Sequence, residues 1–558
     1  MKPGTLTLPP ATHLLGVWLV VFFACALTLG GHLYSPDDEL LFRTTESIAT
    51  SGTLAVAPIW NGFATKKGKD GREYAQYGIG QPILAVPLYW AGALLERVYA
   101  GTGLKPPYRI VNMQFHDRSD SAWVRRFAVS WFNVFVGAFF ATALFAFAHM
   151  IAGERAAAWL TALLYALGTM AWPQSRTFFS EPVAALCVML SFFFLYASFR
   201  SKRVLAPSIA AGCFAGYALL TRLDSILALP GCVVFLAMGH AVAQDSGGAR
   251  NADSATRAQS RWRRVRRRAW GVIVSQFEPS ALLRWIAWGT PVLAAFGVYA
   301  ILNLIHFGTL RPAYADQPEG ISFGTPMLIG LHGFLCSIGR GLFFFSPPLF
   351  LFFWAIRAFL RREPALGWGI VASIICFLAV QSTWINWAGG WCWGPRHVFM
   401  IHWMLALPIV ALLTRPRSPG TRVAYGALLI LGAGIQVYGG SVSFDDYYQT
   451  HFRDLAGPLR STAMYSLDDE EGYLETFYQI KVRMPLTGEL EERLPYSRVL
   501  VAPINDSVYV FQNSQWPGNL GCLKRGMHDF YWVHLVRNMM LGDAARDESA
   551  EDLQRGAK

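Results

Sequence analysis

The sequence predicts an all-α polytopic membrane domain of about eleven transmembrane helices plus juxtamembrane helices, followed by a small C-terminal mixed α/β domain outside the cytoplasm. Three observations carry this. Of 558 residues, 53% are hydrophobic and 15% charged, against roughly 25% charged in soluble globular chains. Apolar runs long enough to span a bilayer, or nearly so, fall at about 13–30, 127–148, 156–172, 182–198, 205–220, 225–242, 285–305, 341–357, 366–382, 398–413 and 421–438. The charge also changes sign along the chain. Residues 1–440 hold 36 Lys and Arg against 18 Asp and Glu, and residues 441–558 hold 12 against 18. Such a change marks a domain boundary, dividing the chain into a transmembrane domain, 1–440, with a large first outer loop, 31–125, and an acidic extracytoplasmic domain, 441–558.

The charge deficit excludes a disordered or collagen-like chain and argues against a large cytosolic enzyme. Nucleic acid is not an expected partner, because the Arg residues cluster in short loops between apolar runs. The Cys residues show no CxxC spacing, hence no zinc or redox motif.

Orientation follows from the loops. Arg200–Arg203, the segment with eight Arg between Arg250 and Arg268, Arg357–Arg362 and Arg415–Arg422 are basic and predict the cytoplasmic side. The apolar stretch 82–100 is the ambiguous one. Left out of the count, an even number of spans precedes each basic loop, so all four share the side of the N-terminus. With Pro82, Pro87 and the Glu96-Arg97 pair, it reads as an amphipathic or re-entrant helix at the outer interface. The N-terminus is then cytoplasmic and the C-terminus extracytoplasmic. The spans carry few ionisable groups, whereas transporters and proton pumps usually need them near the midplane. The predicted chemistry lies on the outer surface.

The first outer loop opens Ser35-Pro36-Asp37-Asp38-Glu39. This is a well-formed helix start: Ser35 as N-cap, Pro36 at the first position, acids in the first turn and Gly52 as terminator. Capping explains one acid and does not require three. A carboxylate at the water–membrane boundary is also where a general base belongs if one substrate is a lipid and the other is not. Before the 398–413 run, Trp384, Trp387, Trp391 and Trp393 suit an aromatic belt. Gly394-Pro395-Arg396-His397 does not, because Arg396 is a cation on the side the positive-inside rule disfavours. A guanidinium there suits a lipid phosphate, which it grips with paired hydrogen bonds. Arg340, in Gly339-Arg340-Gly341, and Arg222, beside Asp224, are weaker candidates of the same kind. Glu181 follows Ser180 at the start of a span, where it favours the helix dipole. The segment Tyr74-Ala75-Gln76-Tyr77-Gly78-Ile79-Gly80-Gln81-Pro82 has turn-forming glycines, and its tyrosines read equally as interfacial anchors or as the lining of a sugar pocket.

Together these motifs resemble the GT-C superfamily of multi-pass glycosyltransferases, which use polyprenyl- or dolichyl-phosphate sugars and include protein O-mannosyltransferases and the lipid A aminoarabinose transferase. The resemblance covers roughly residues 13–440. It implies an inverting transfer of a sugar from a polyprenyl-phosphate carrier to an acceptor hydroxyl on the outer face of a bacterial inner (plasma) membrane. It implies Asp38 as the first choice of catalytic base and Asp37 as the second. It implies a donor phosphate held by Arg396, then Arg340 and Arg222, with His397 adjacent, and further substrate contacts from Glu39, Tyr74, Tyr77 and Glu181. The His-Pro-Pro-Leu-Gly segment of protein O-mannosyltransferases is absent, so a protein acceptor does not follow. No cofactor is required by the spacing. A divalent cation is an open expectation, with Asp37, Asp38 and Glu181 as ligands. The rival readings are a lipid-linked sugar flippase or transporter and a non-catalytic membrane scaffold. In the tail, the acidic run Asp468–Glu471 reads as solvated surface, 498–501 and 508–511 as strands, and 541–558 as a frayed end.

Overall fold

Local signals set the element boundaries that matter for the site. The helix Pro36–Ser51 begins where the Ser35 side chain accepts the Asp38 amide at 3.2 Å and ends at Gly52, whose φ of 64° is left-handed. The structure, a computed structural model, describes residues 8–59, 64–102, 122–248, 275–311, 323–384, 387, 389, 392–414, 418–444, 481–483, 490–492 and 515–541. The Arg250–Arg268 segment, Arg415, Arg417, Trp391, the Asp468–Glu471 run and the expected strands at 498–501 and 508–511 lie outside the described residues, as does nearly all of 541–558.

Among the described residues, eight helices are long and apolar enough to cross a membrane: Gly80–Ala100, Trp123–Ala152, Glu181–Arg200, Leu223–Ala241, Pro279–Phe307, Pro364–Gln381, Arg396–Leu413 and Pro419–Gly440. Ala11–Leu27, Leu205–Thr221 and Met327–Cys336 are apolar but shorter. Large apolar side chains point outward from the long helices, Leu293 at 70% and Ile430 at 74% exposure; such surface is stable in lipid and costly in water. The chain is an integral membrane protein.

Beyond the shortness of Ala11–Leu27 and Leu205–Thr221, the spans differ from the expected set in three places. The run 156–172 yields Arg155–Gly168, 14 residues, or about 21 Å at 1.5 Å per residue, short of a hydrocarbon layer of about 30 Å. The run 341–357 is broken into Leu342–Phe345, Pro347–Leu351 and Phe352–Arg362, because Pro347 and Pro348 remove two backbone donors. The stretch 82–100, expected at the interface, forms Gly80–Ala100, which is itself long and apolar enough to span.

Glu181–Arg200 packs on Leu205–Thr221, which packs on Pro279–Phe307, while Leu229–Gly248 packs on Pro364–Gln381. A continuous core threads the bundle, with Phe140, Phe145, Phe178, Tyr196 and Trp403 fully buried. Among the described residues, two short antiparallel pairs join Thr65–Lys67 with Glu73–Ala75 and Lys481–Arg483 with Leu490–Glu492.

One helix separates the two ends of the molecule. At the C-terminus of Glu181–Arg200, Arg200 pairs with Glu363 at 2.6 Å, and the neighbouring Arg362 donates to the carbonyl of Ile151 at 2.6 Å. Two of the basic loops expected on one side therefore do lie together. The other end of that helix, 20 residues away and so about 30 Å distant, holds Glu181 and the residues described next.

Candidate active site

The acids of the first helical turn point in different directions because successive helical residues are rotated by about 100°. Asp38 turns inward and is fully buried. Its Oδ2 accepts the amide of Tyr34 at 3.1 Å while its own amide donates to Ser35 Oγ, a reciprocal cap that ties the helix start to the preceding strand of chain. Burial pushes its carboxyl up to about 8. Glu39 also turns inward and pairs with Arg43 at 2.8 Å and Arg126 at 2.7 Å; its charge is spent on joining this helix to Trp123–Ser130. Asp37 alone of the three faces the rim. Its Oδ1 accepts Tyr77 Oη at 2.6 Å and its Oδ2 accepts Arg396 Nη2 at 2.5 Å.

Arg396 reaches Asp37 from a loop with an unusual backbone. Gly394 has φ +66°, and a Cβ there would meet Met170 Sδ at 2.7 Å, so glycine is required for both conformation and space. Arg340, 1% exposed, donates from Nη1 to the carbonyls of Cys392 at 2.6 Å and Gly394 at 2.9 Å. It is a strut beneath the loop that carries Arg396. The Arg396 guanidinium lies over the Phe179 ring at 4.4 Å and has Nε 3.5 Å from Glu181 Oε1. The same Glu181 oxygen is 2.9 Å from Arg222 Nη1, and Arg222 also pairs with Asp224 at 2.9 Å. Gln381 Nε2 reaches Asp224 at 3.3 Å. The result is a chain, Asp37–Arg396–Glu181–Arg222–Asp224, in which carboxylates outnumber guanidiniums by one. Its members keep between 5% and 22% side-chain exposure.

Tyr77 joins this chain to a cleft of about 590 Å³, open mouth included, lined in part by Tyr74, Gln76, Tyr77, Tyr299, Asn303 and Phe307. The cleft depends on a close approach at Gly78, where a Cβ would collide with the carbonyls of Thr221 and Leu220. Tyr74 is set apart from Asp37: its Oη donates to Asp70 at 2.7 Å and its ring stacks on His306 at 4.0 Å. His397 lies with its ring 6.3 Å from that of Trp384.

Of the residues singled out in the sequence, Asp37, Tyr77, Glu181, Arg222 and Arg396 are thus brought into one network. Asp38, Glu39, Arg340 and Tyr74 are engaged elsewhere. Two polar residues within the spans serve the backbone: Asn133 donates to the carbonyls of Thr177 and Phe179, and Gln436 to that of Phe345. Sequence reasoning missed Arg176, a cation between apolar runs on the outer side that the argument used for Arg396 would have flagged, and it missed the partner of Arg176, Asp529. Among the described residues, no group of three or more His, Cys, Asp or Glu side chains is arranged to hold a metal ion. Asp37 and Glu181, two of the expected ligands, both face guanidiniums.

With this geometry in view, comparison with known proteins adds the following. The chain is similar in structure to ArnT. ArnT from Cupriavidus metallidurans bound to undecaprenyl phosphate aligns with a TM-score of 0.47 and 13% identity, over 79% of this chain and 68% of that one. The archaeal oligosaccharyltransferase AglB from Archaeoglobus fulgidus, in complex with an inhibitory peptide and a dolichol-phosphate, aligns with a TM-score of 0.42 and 12% identity, over 87% of this chain and 61% of that one. No family model matches the sequence, and no curated protein does. At these identities and TM-scores the likeness assigns no role to any residue of this chain.

Proposed function

We propose that this protein is an inverting, GT-C-type glycosyltransferase that moves a sugar from a polyprenyl-phosphate carrier to an acceptor hydroxyl at the outer face of the membrane. The observation that carries the reading is the meeting of Asp37 and Arg396. They lie 359 residues apart in sequence and 2.5 Å apart in space, with a second guanidinium, Arg222, one carboxylate away.

In this reading Asp37 is the base. It takes the proton of the acceptor hydroxyl as that oxygen forms a bond to the anomeric carbon from the face opposite the phosphate, so the Asp37–Arg396 pair parts to admit the sugar between base and phosphate. The anomeric C–O bond breaks with its electron pair passing to the phosphate oxygen, so the sugar is delivered with inversion. Arg396 and Arg222 receive the growing charge on the leaving phosphate. Preorganised donors of this kind are worth about 10²–10³ in rate each, and general-base assistance about 10²–10⁴. Glu181 is a positioning residue: its carboxylate between the two guanidiniums offsets their repulsion and keeps both at the rim. Asp38, the first choice from sequence, is assigned instead to the helix start, because a buried carboxyl bonded to the Tyr34 amide has no path to a bulk acceptor. The donor arrives from the bilayer, so no nucleotide site is needed.

The test is direct. Purified protein given a polyprenyl-phosphate sugar and candidate glycan or lipid acceptors should form a glycosylated product whose anomeric configuration, read by NMR, is inverted. Mass spectrometry of the co-purified lipid should find a prenyl phosphate. Ordinary phospholipid alone, together with no transfer, would overturn the reading in favour of a scaffold. Movement of the lipid-linked sugar across vesicles without transfer would point to the flippase.

A further inference from the structure

The helices Gln515–Lys524 and Tyr531–Leu541 belong to the acidic C-terminal region, yet they grip the rim of the bundle at two points, one on each side of the Asp37–Arg396 contact. The first is the loop that carries Arg396. Gln515 is 2% exposed; its Nε2 donates to the carbonyl of Cys392 at 2.7 Å, and its Oε1 accepts the amide of Gly394 at 3.4 Å. Arg340 bonds the same two residues from the other side, so the backbone two residues before Arg396 is held in a vice. Next to it, Trp516 donates to the carbonyl of Ile338 at 2.8 Å and packs its ring against Trp393.

The second point is the start of the Asp37 helix. Asp529, fully buried, accepts His32 Nε2 at 2.8 Å, Tyr34 Oη at 2.7 Å and Arg176 Nη2 at 2.7 Å. Tyr34 is also the residue whose amide holds Asp38. A continuous line of bonds therefore runs from Asp529 through Tyr34 and Asp38 to the turn that presents Asp37.

We propose that the two C-terminal helices are a brace that aligns the catalytic carboxylate with the phosphate-binding guanidinium, with Gln515 and Asp529 as its positioning residues. An isolated rim loop and an isolated helix start would each sample several positions. Tying both to the single segment 515–541 narrows that freedom, and misplacement of a reacting group by about 1 Å costs on the order of 10²-fold in rate. The catalytic consequence rests on the transferase reading above; the bracing of the loop does not.

Gln515→Met keeps the volume of the side chain and removes both hydrogen bonds. In the full-length protein it should raise KM for the polyprenyl-phosphate sugar about tenfold, the worth of one hydrogen bond to a buried group, with kcat changed less. Cys392, fully buried beneath the loop, should become reactive to a maleimide, read by mass mapping of the labelled cysteine. Gln515→Glu, which retains the acceptor for the Gly394 amide, should show a smaller effect on both. A merely structural role would lower the yield of folded protein and leave KM unchanged. If Gln515→Met alters neither KM nor Cys392 labelling while Arg396→Ala lowers kcat/KM for the lipid-phosphate sugar, the brace is overturned and the transferase reading stands. If Cys392 becomes labelled while Arg396→Ala leaves kcat/KM for the lipid-phosphate sugar unchanged, the brace stands and the transferase reading falls.

Discussion

Two ionic clusters sit at the same rim, built from the same residue types, and they differ in closure. Around Asp529 every carboxylate oxygen is taken, by His32 on one side and by Tyr34 and Arg176 on the other, and the group is sealed from solvent. Burial by itself would raise this carboxyl, but the His32 and Arg176 charges outweigh it and hold Asp529 well below the usual carboxylate range. Around Asp37 the carboxylates exceed the cations, the side chains keep 13% to 16% exposure, and a cleft opens beside Tyr77. A closed, matched cluster holds elements together. An open one can exchange its partners for a substrate, and that is the physical difference between a lock and a site.

The comparison is sharpened or broken by substitution. The largest effect is expected for Asp37→Asn, which should lower turnover by about 10²–10⁴-fold while thermal unfolding in detergent stays near that of the parent; a stability loss with turnover intact would make Asp37 another lock. Asp529→Ala should act first on stability. It leaves Arg176 buried without its counter-charge and should cost about 3–5 kcal/mol of stability, seen as a lower unfolding midpoint. Arg396→Ala should reduce use of the donor by about 10²–10³-fold, with the loss appearing in titrations of the lipid-phosphate sugar rather than of the acceptor.

The smallest effect concerns Asp38 and has a defined sign. Its folded carboxyl keeps a proton up to about 8, whereas the unfolded group loses it near the ordinary value of 3.8. The folded state is therefore the better proton binder between those values, and stability falls as pH rises through that window. Asp38→Asn, which is neutral throughout, should flatten the dependence of the unfolding midpoint between about pH 4 and pH 8 and leave turnover largely intact. A variant as pH-sensitive as the parent would remove Asp38 from this role.

Much of this protein was legible in one dimension. Membrane residence followed from apolar runs and scarce charge, the Pro36–Ser51 helix from its Ser-Pro start and Gly52 stop, and the interest of Arg396 from a cation on the wrong side of a charge rule. Those are local or summed properties, and each is decided by residues within a few positions of one another. Which of Asp37 and Asp38 meets Arg396 was not legible. Both are first-turn acids, and which one faces the rim depends on how the helix is rotated by Tyr34, Arg126 and Tyr77. Arg340 and Arg396 likewise share a Gly-flanked, outer-face pattern, yet one props the loop and the other faces Asp37.

The sequence by itself determined that this chain lives in a bilayer and gathers acids and arginines at one of its faces, because hydrophobicity and charge act without regard to chain order. Only the tertiary structure decided which carboxylate meets which guanidinium. Those contacts join residues hundreds of positions apart, and their geometry is set by packing between helices that no local pattern records.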